Sequence, residues 1–147
     1  YEASFALELN VVPPLAILGV EGLYDLPALV AYHAEEPAYR DFVTNAFGPA
    51  APGVWEAASP TSGQYGGSWD GGRLVVLAHS RGDELVEWEQ VALMERALKA
   101  QGWGEGSEEE RRVEVLELRG RHDQVWEEGE ELARAIGVAV EGVRELL

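Results

Sequence analysis

Apolar residues fall into three short aliphatic runs: LAILGV (Leu15 to Val20), RLVVLA (Arg73 to Ala78) and VEVLELRG (Val113 to Gly120). Each is followed by a polar turn and then by a stretch whose apolar positions recur at helical spacing, the pattern of a buried strand feeding an amphipathic helix. After the first strand comes EGLYDLPALVAYHAEE, in which Pro27 suits a first helical turn. The second leads into DELVEWEQVALMERALKAQGW, with Leu85, Trp88, Val91, Leu93, Met94 and Leu98 as its apolar stripe, and the third into DQVWEEGEELARAIGVAVEGVRELL. Strands alternating with helices at this spacing predict a parallel sheet with right-handed crossovers, an α/β fold with its strands flanked by helices. Positions 45 to 72, rich in Gly, Pro, Ser and Ala, read as a long loop, and GWGEGSEEERR as a solvated connector. Ala3, Phe5, Ala6 and Leu9 can share one helical face, although no capping residue precedes them.

The 147 residues are 46% hydrophobic, enough for one domain with a core. A parallel sheet of only three strands leaves two open edges, so further strands are expected from elsewhere. With 11 basic against 27 acidic residues the net charge is -16, which repels phosphate backbones and anionic lipid surfaces and argues against nucleic-acid or membrane partners. Cysteine is absent, which removes disulfides, thiolate metal sites and a Cys nucleophile. The longest apolar stretch, Val11 to Val20, is too short to span a bilayer and holds two prolines, so a cytoplasmic protein is predicted.

Ligands of open α/β sheets lie beyond the carboxyl ends of the strands, which directs attention to Glu21 to Asp25, His79 to Asp83 and Gly120 to Asp123. Ala78-His79-Ser80-Arg81-Gly82 resembles a nucleophile elbow, G-x-S-x-G, except at its first position. Only one strand follows it, however, whereas a serine there would need an acid and a base downstream. The turn therefore fits better as the one bearing the acid, with Asp83 paired to His122 after the last strand and with His79 and Ser80 shaping the turn. Asp83 reads equally well as a helix cap, and His122 alone as a strand-end histidine without a role. A metal site built from His79, Asp83, His122 and Asp123 lacks the usual ligand spacing, so neither a metal nor another cofactor is expected. Most of the tryptophans read as core or loop anchors, while Trp126, four residues after His122, is placed to line a pocket.

GVEGLYDL, PAYRDFVTNAFG with the W-x-x-ASP of Trp55 to Pro60, VVLAHSRGDELV and GRHDQVW, taken in order, resemble the C-terminal half of fungal kynurenine formamidases, which are α/β-hydrolases. The likeness runs from about Pro13 to Trp126. It implies a single partial α/β-hydrolase domain over 1–147 and a Ser-Asp-His hydrolase that removes the formyl group from N-formylkynurenine, or from a related aryl formamide or ester, in tryptophan breakdown. Asp83 would be the acid, His122 the base, and Tyr24 a residue near the substrate. The family's oxyanion segment and its G-x-S-x-G elbow have no counterpart in these residues. The nucleophile would then come from a companion chain, or from the remainder of a longer polypeptide. The alternative is a non-catalytic relative that keeps the scaffold for binding.

Overall fold

The computed structural model describes residues 13–66, 69–104, 107 and 110–147. The proposed helix over the first ten residues lies outside them. The three aliphatic runs form strands β1 (Ala16–Val20), β2 (Leu74–Ser80) and β3 (Arg112–Leu118), all parallel and in the order β1-β2-β3. All seven residues of β2 are buried, as a central parallel strand covered on both faces must be.

Helices cover the sheet on either side. On one face α4 (Glu89–Lys99) packs Val91, Met94 and Leu98 against Val75 and Leu77, joined by Tyr24, Trp69 and Trp103. On the other face α6 (Glu130–Glu145) and α5 (His122–Glu128) place Ala135 and Val125 against Ala78 and Leu118. Each large side chain enclosed in this way stabilises the fold by about 1.5 to 3 kcal/mol relative to exposure.

The structure departs from the sequence reading in three places. The helix after β2 begins at Glu89 rather than beside Asp83, because residues 81–88 make a succession of turns. Leu85, expected in the apolar stripe, is consequently exposed, and Leu93 is only half-buried. The last helical stretch is two helices. Gly129 separates them at φ 72°, a left-handed conformation that glycine adopts without steric cost. The region between the first two strands is not a simple loop either. After α1 (Leu26–Tyr32) and α2 (Pro37–Phe47) it contains α3 (Val54–Ala58) and a single 3₁₀ turn, Pro60–Ser62. Leu26, Leu29, Val30, Val43 and Trp55 give these helices a small core of their own.

Asp25 caps α1 by accepting from the Ala28 N–H at 2.9 Å, with Pro27 in the first turn as expected. The helices of this segment are fastened to the body by buried Gln90, whose Oε1 accepts from the Tyr24 and Asp25 N–H groups. Its Nε2 donates to Glu87, which in turn meets the His33 imidazole at 3.1 Å. His33 stacks on Tyr39, and the Tyr39 hydroxyl donates to the Leu85 carbonyl in the turn after β2.

No helix among the described residues is long and apolar enough to cross a membrane. At the outer edge of β1, Ile17 stays exposed, and Ile136 and Val140 of α6 remain open beside Ala16 and Leu18.

Candidate active site

Three turns meet at the carboxyl end of the sheet, one after each strand. The turn after β2 begins with two buried residues of that strand, His79 and Ser80. The His79 Nε2–H donates to the Val86 carbonyl at 2.8 Å and its ring meets the edge of Trp88, which also carries the Arg81 guanidinium 4.0 Å above its centre. Ser80 donates its hydroxyl proton to the Gly120 carbonyl and accepts from the Gly82 N–H at 3.0 Å. At Gly82 the turns after β2 and β3 come so close that a Cβ would lie 2.8 Å from the Gly120 oxygen, so the position admits no side chain.

This stitching aims Asp83. Its Oδ1 accepts from the Leu85 and Val86 N–H groups, both at 2.9 Å, while its Oδ2 lies 2.8 Å from the His122 Nδ1. The sequence set a helix cap against pairing with an imidazole; α4 starts too late for Asp83 to cap it, and one carboxylate oxygen instead builds the turn while the other pairs with His122. The Asp83 side chain is fully enclosed, and that of His122 is 23% exposed. A carboxylate can only accept, so Nδ1 carries the proton and the Nε2 lone pair is left free, with no hydrogen bond among the described residues. His122 is the first residue of α5, and its backbone N–H donates to Glu84 at 3.2 Å. Burial works to lower the pKa of His122, but the hydrogen bond and charge of Asp83, with Glu21 and Asp123 behind them, outweigh it and hold the imidazole above its ordinary value.

A third acid, noted at a strand end in the sequence but given no role there, joins the pair. Glu21, directly after β1, has an enclosed side chain whose Oε2 lies 3.5 Å from the same Nδ1. Burial first, then the negative charge of Asp83, push its pKa up to about 7, against the opposing pull of His122 and the Trp126 indole. Neither Glu21 oxygen has a hydrogen-bond partner of ordinary geometry among the described residues. Glu21, Asp83 and His122 bring one potential ligating atom each within 4.8 Å of one another. The histidine nitrogen facing the two carboxylates is the one that donates to Asp83. The other proposed metal partners are engaged elsewhere: His79 holds Val86, and Asp123 lies in the first turn of α5.

The chain is 38% identical over 134 residues to a kynurenine formamidase-like hydrolase of Fusarium equiseti, covering 90% of this chain and 43% of that protein. It is 34% identical over 135 residues to a kynurenine formamidase of Aspergillus versicolor, covering 80% of this chain and 45% of the relative. The chain resembles kynurenine formamidases. It spans less than half the length of these curated relatives. No family model matches it, and no solved structure matches significantly.

Of the four residues singled out for a formamidase-like site, the structure brings three to one place. Asp83 and His122 pair directly, and Trp126, 49% exposed, lies one helical turn beyond His122 and beside Glu21. Tyr24 is the exception. Its ring turns back beneath Gly19 and Gly22 into the core on the α4 face, only 7% exposed, because Gln90 holds its backbone and the two glycines leave room for the phenol. Burial pushes its pKa up to about 12, so it stays neutral. It is a core residue and no surface for a substrate. A cavity of about 570 Å³ among α1, α2 and α3, lined by Val30, His33, Arg40 and Trp55 among others, shares no residue with the Asp83–His122 pair.

Two outcomes follow from this geometry. Ser80→Ala removes a buried bridge between the acid and base turns and is expected to cost about 1 to 3 kcal/mol in denaturant unfolding, while activity under folding conditions stays within about tenfold of the parent. A fully folded variant with no activity would instead make Ser80 the nucleophile. The second concerns pH. Glu21 binds its proton more tightly when folded than in the unfolded chain, where its value is near 4.5, so the unfolded state gains by ionising as pH rises from about 4.5 to about 7. Its favourable contribution is complete below that window and lost above it, and His122, also raised, changes in the same direction. Glu21→Gln is therefore expected to match the parent at pH 4 and to be more stable at pH 8 by on the order of 2 kcal/mol, read from thermal melts at the two pH values.

Proposed function

We propose that this chain supplies the acid and the base of a Ser-His-Asp hydrolase of the α/β-hydrolase type, acting on N-formylkynurenine or a related aryl formamide or ester. The observation that carries the reading is the 2.8 Å pairing of Asp83 Oδ2 with His122 Nδ1, between turns that follow two adjacent parallel strands. The names of the relatives support the same chemistry.

In this mechanism Asp83 fixes the tautomer of His122 and stabilises the imidazolium. The free Nε2 takes the proton of a serine hydroxyl as that oxygen attacks the formyl carbon. The tetrahedral intermediate collapses as Nε2 returns the proton to the departing aniline nitrogen, leaving a formyl ester on the serine. Water, deprotonated by the same imidazole, then attacks the formyl ester, and the imidazolium returns the proton to the departing serine oxygen as formate leaves. The serine and the oxyanion donors belong to a segment outside these 147 residues, whether a companion chain or the rest of a longer polypeptide. The open edge of β1 and the apolar strip of Ile136 and Val140 are where such a segment would pair and pack. Trp126 offers an indole wall to the aromatic part of the substrate.

The test is release of formate from an N-formyl aryl amine by the protein carrying this chain together with its nucleophile-bearing segment, in parallel with labelling by a serine-directed phosphonate. Turnover that the phosphonate abolishes is the expected result. A well-folded protein that neither turns over nor labels would leave a binding role on a hydrolase scaffold.

A further inference from the structure

We propose that Glu21 is a second acid for His122, a positioning residue whose carboxyl backs Asp83 at the same imidazole nitrogen and restrains the ring when it carries charge. The inference rests on the hydrolase reading for its catalytic consequence, but the geometry behind it is independent of any nucleophile.

Each strand delivers one member of the cluster: β1 delivers Glu21, β2 delivers Asp83 and β3 delivers His122. Glu21 is held with φ at 47°, in the left-handed region that few residues other than glycine occupy, and its N–H is pinned to the Ala78 carbonyl at 2.9 Å. That backbone turns the side chain inward, where it is wholly enclosed and without a hydrogen-bond partner of ordinary geometry among the described residues. An enclosed carboxyl without a well-formed hydrogen bond costs free energy, and strained residues of this kind gather at functional sites.

At 3.5 Å from Nδ1, against 2.8 Å for Asp83, Glu21 is the secondary partner at rest. Burial and the charge of Asp83 favour the protonated form of Glu21 while His122 is neutral. When Nε2 takes up a proton, the imidazolium favours ionisation of the second carboxyl, and a swing of the ring by about 0.7 Å, the difference between the two distances, brings Glu21 into hydrogen-bonding range. Among the described residues, the other charged or titratable groups facing the cluster include Glu84 from the turn after β2, Asp123 from α5, Tyr39 from α2, and His79 from β2, whose Nε2 lies 3.6 Å from Asp83.

The decisive measurement is the titration of His122 by NMR of its ring nitrogens in the protein carrying this chain, for the parent, Glu21→Gln and Glu21→Asp. The Gln variant is expected to lower the His122 midpoint by about half a unit or more and to turn a broad, coupled titration into a single step. The Asp variant, with its carboxyl withdrawn by one methylene, falls between. An unchanged midpoint in both variants overturns the proposal, whatever the rates do. In the activity arm, Asp83→Asn combined with Glu21→Gln is expected to lose at least about tenfold more kcat than Asp83→Asn alone. Equal rates would overturn the catalytic part of the inference. If the midpoint shifts and no variant hydrolyses a formamide, the hydrolase reading fails while the coupling of Glu21 to His122 stands.

Discussion

His122→Ala is expected to lower kcat for an aryl formamide by about three to four orders of magnitude, with KM changed far less. The His122 imidazole offers a partly exposed, free Nε2 lone pair, and in the proposed mechanism both the attack and the departure of the amine pass a proton through it. Its loss leaves Asp83 without a ring to orient and the serine without a base, so the remaining rate would come from substrate binding and the oxyanion donors alone. The fold should survive, because the side chain is partly exposed and Val125, the buried residue of the same helix, is untouched. Stopped assays of formate release with matched denaturation curves check both halves of the expectation. A variant as fast as the parent would remove the mechanism altogether.

Asp83→Asn is expected to lower kcat by about two to three orders of magnitude, short of the roughly 10⁴-fold cost known where no other acid stands behind the histidine. Asparagine keeps a carbonyl oxygen to accept from the Leu85 and Val86 N–H groups, so the turn is retained. Its amide cannot serve the imidazolium as a carboxylate does, and an NH₂ turned toward Nδ1 favours the opposite tautomer. The shortfall from the full cost is the part assigned to Glu21. Asp83→Ala, which strips both oxygens, should add a stability loss of about 1 to 3 kcal/mol, and comparing the two variants separates the turn-building oxygen from the one that faces histidine.

The strands and their parallel direction were legible because each aliphatic run was bounded by turn residues and followed by a helical pattern. The pairing of Asp83 with His122 was legible because acids and bases at the ends of adjacent parallel strands are brought to one rim. Other features depended on geometry that a sequence does not carry. Glu21 owes its role to a backbone conformation unusual for glutamate, although an acid closing an aliphatic strand was a signal that could have been followed. The family resemblance implied a place near the substrate for Tyr24, but Gly19 and Gly22 let its ring fold back into the core. The late start of α4 escaped notice because DELVEWEQ satisfies helical spacing while Asp83, bonded to Leu85 and Val86, imposes a local turn of its own.

The Ser80 bridge and the bare backbone at Gly82 weld the turns after β2 and β3 into one rigid corner, sewn entirely from residues of this polypeptide. In the proposed mechanism, the segment that lends the attacking oxygen and the oxyanion donors would meet an acid and a base already in alignment. On that mechanism, catalysis would report how well the nucleophile-bearing segment seats against this corner.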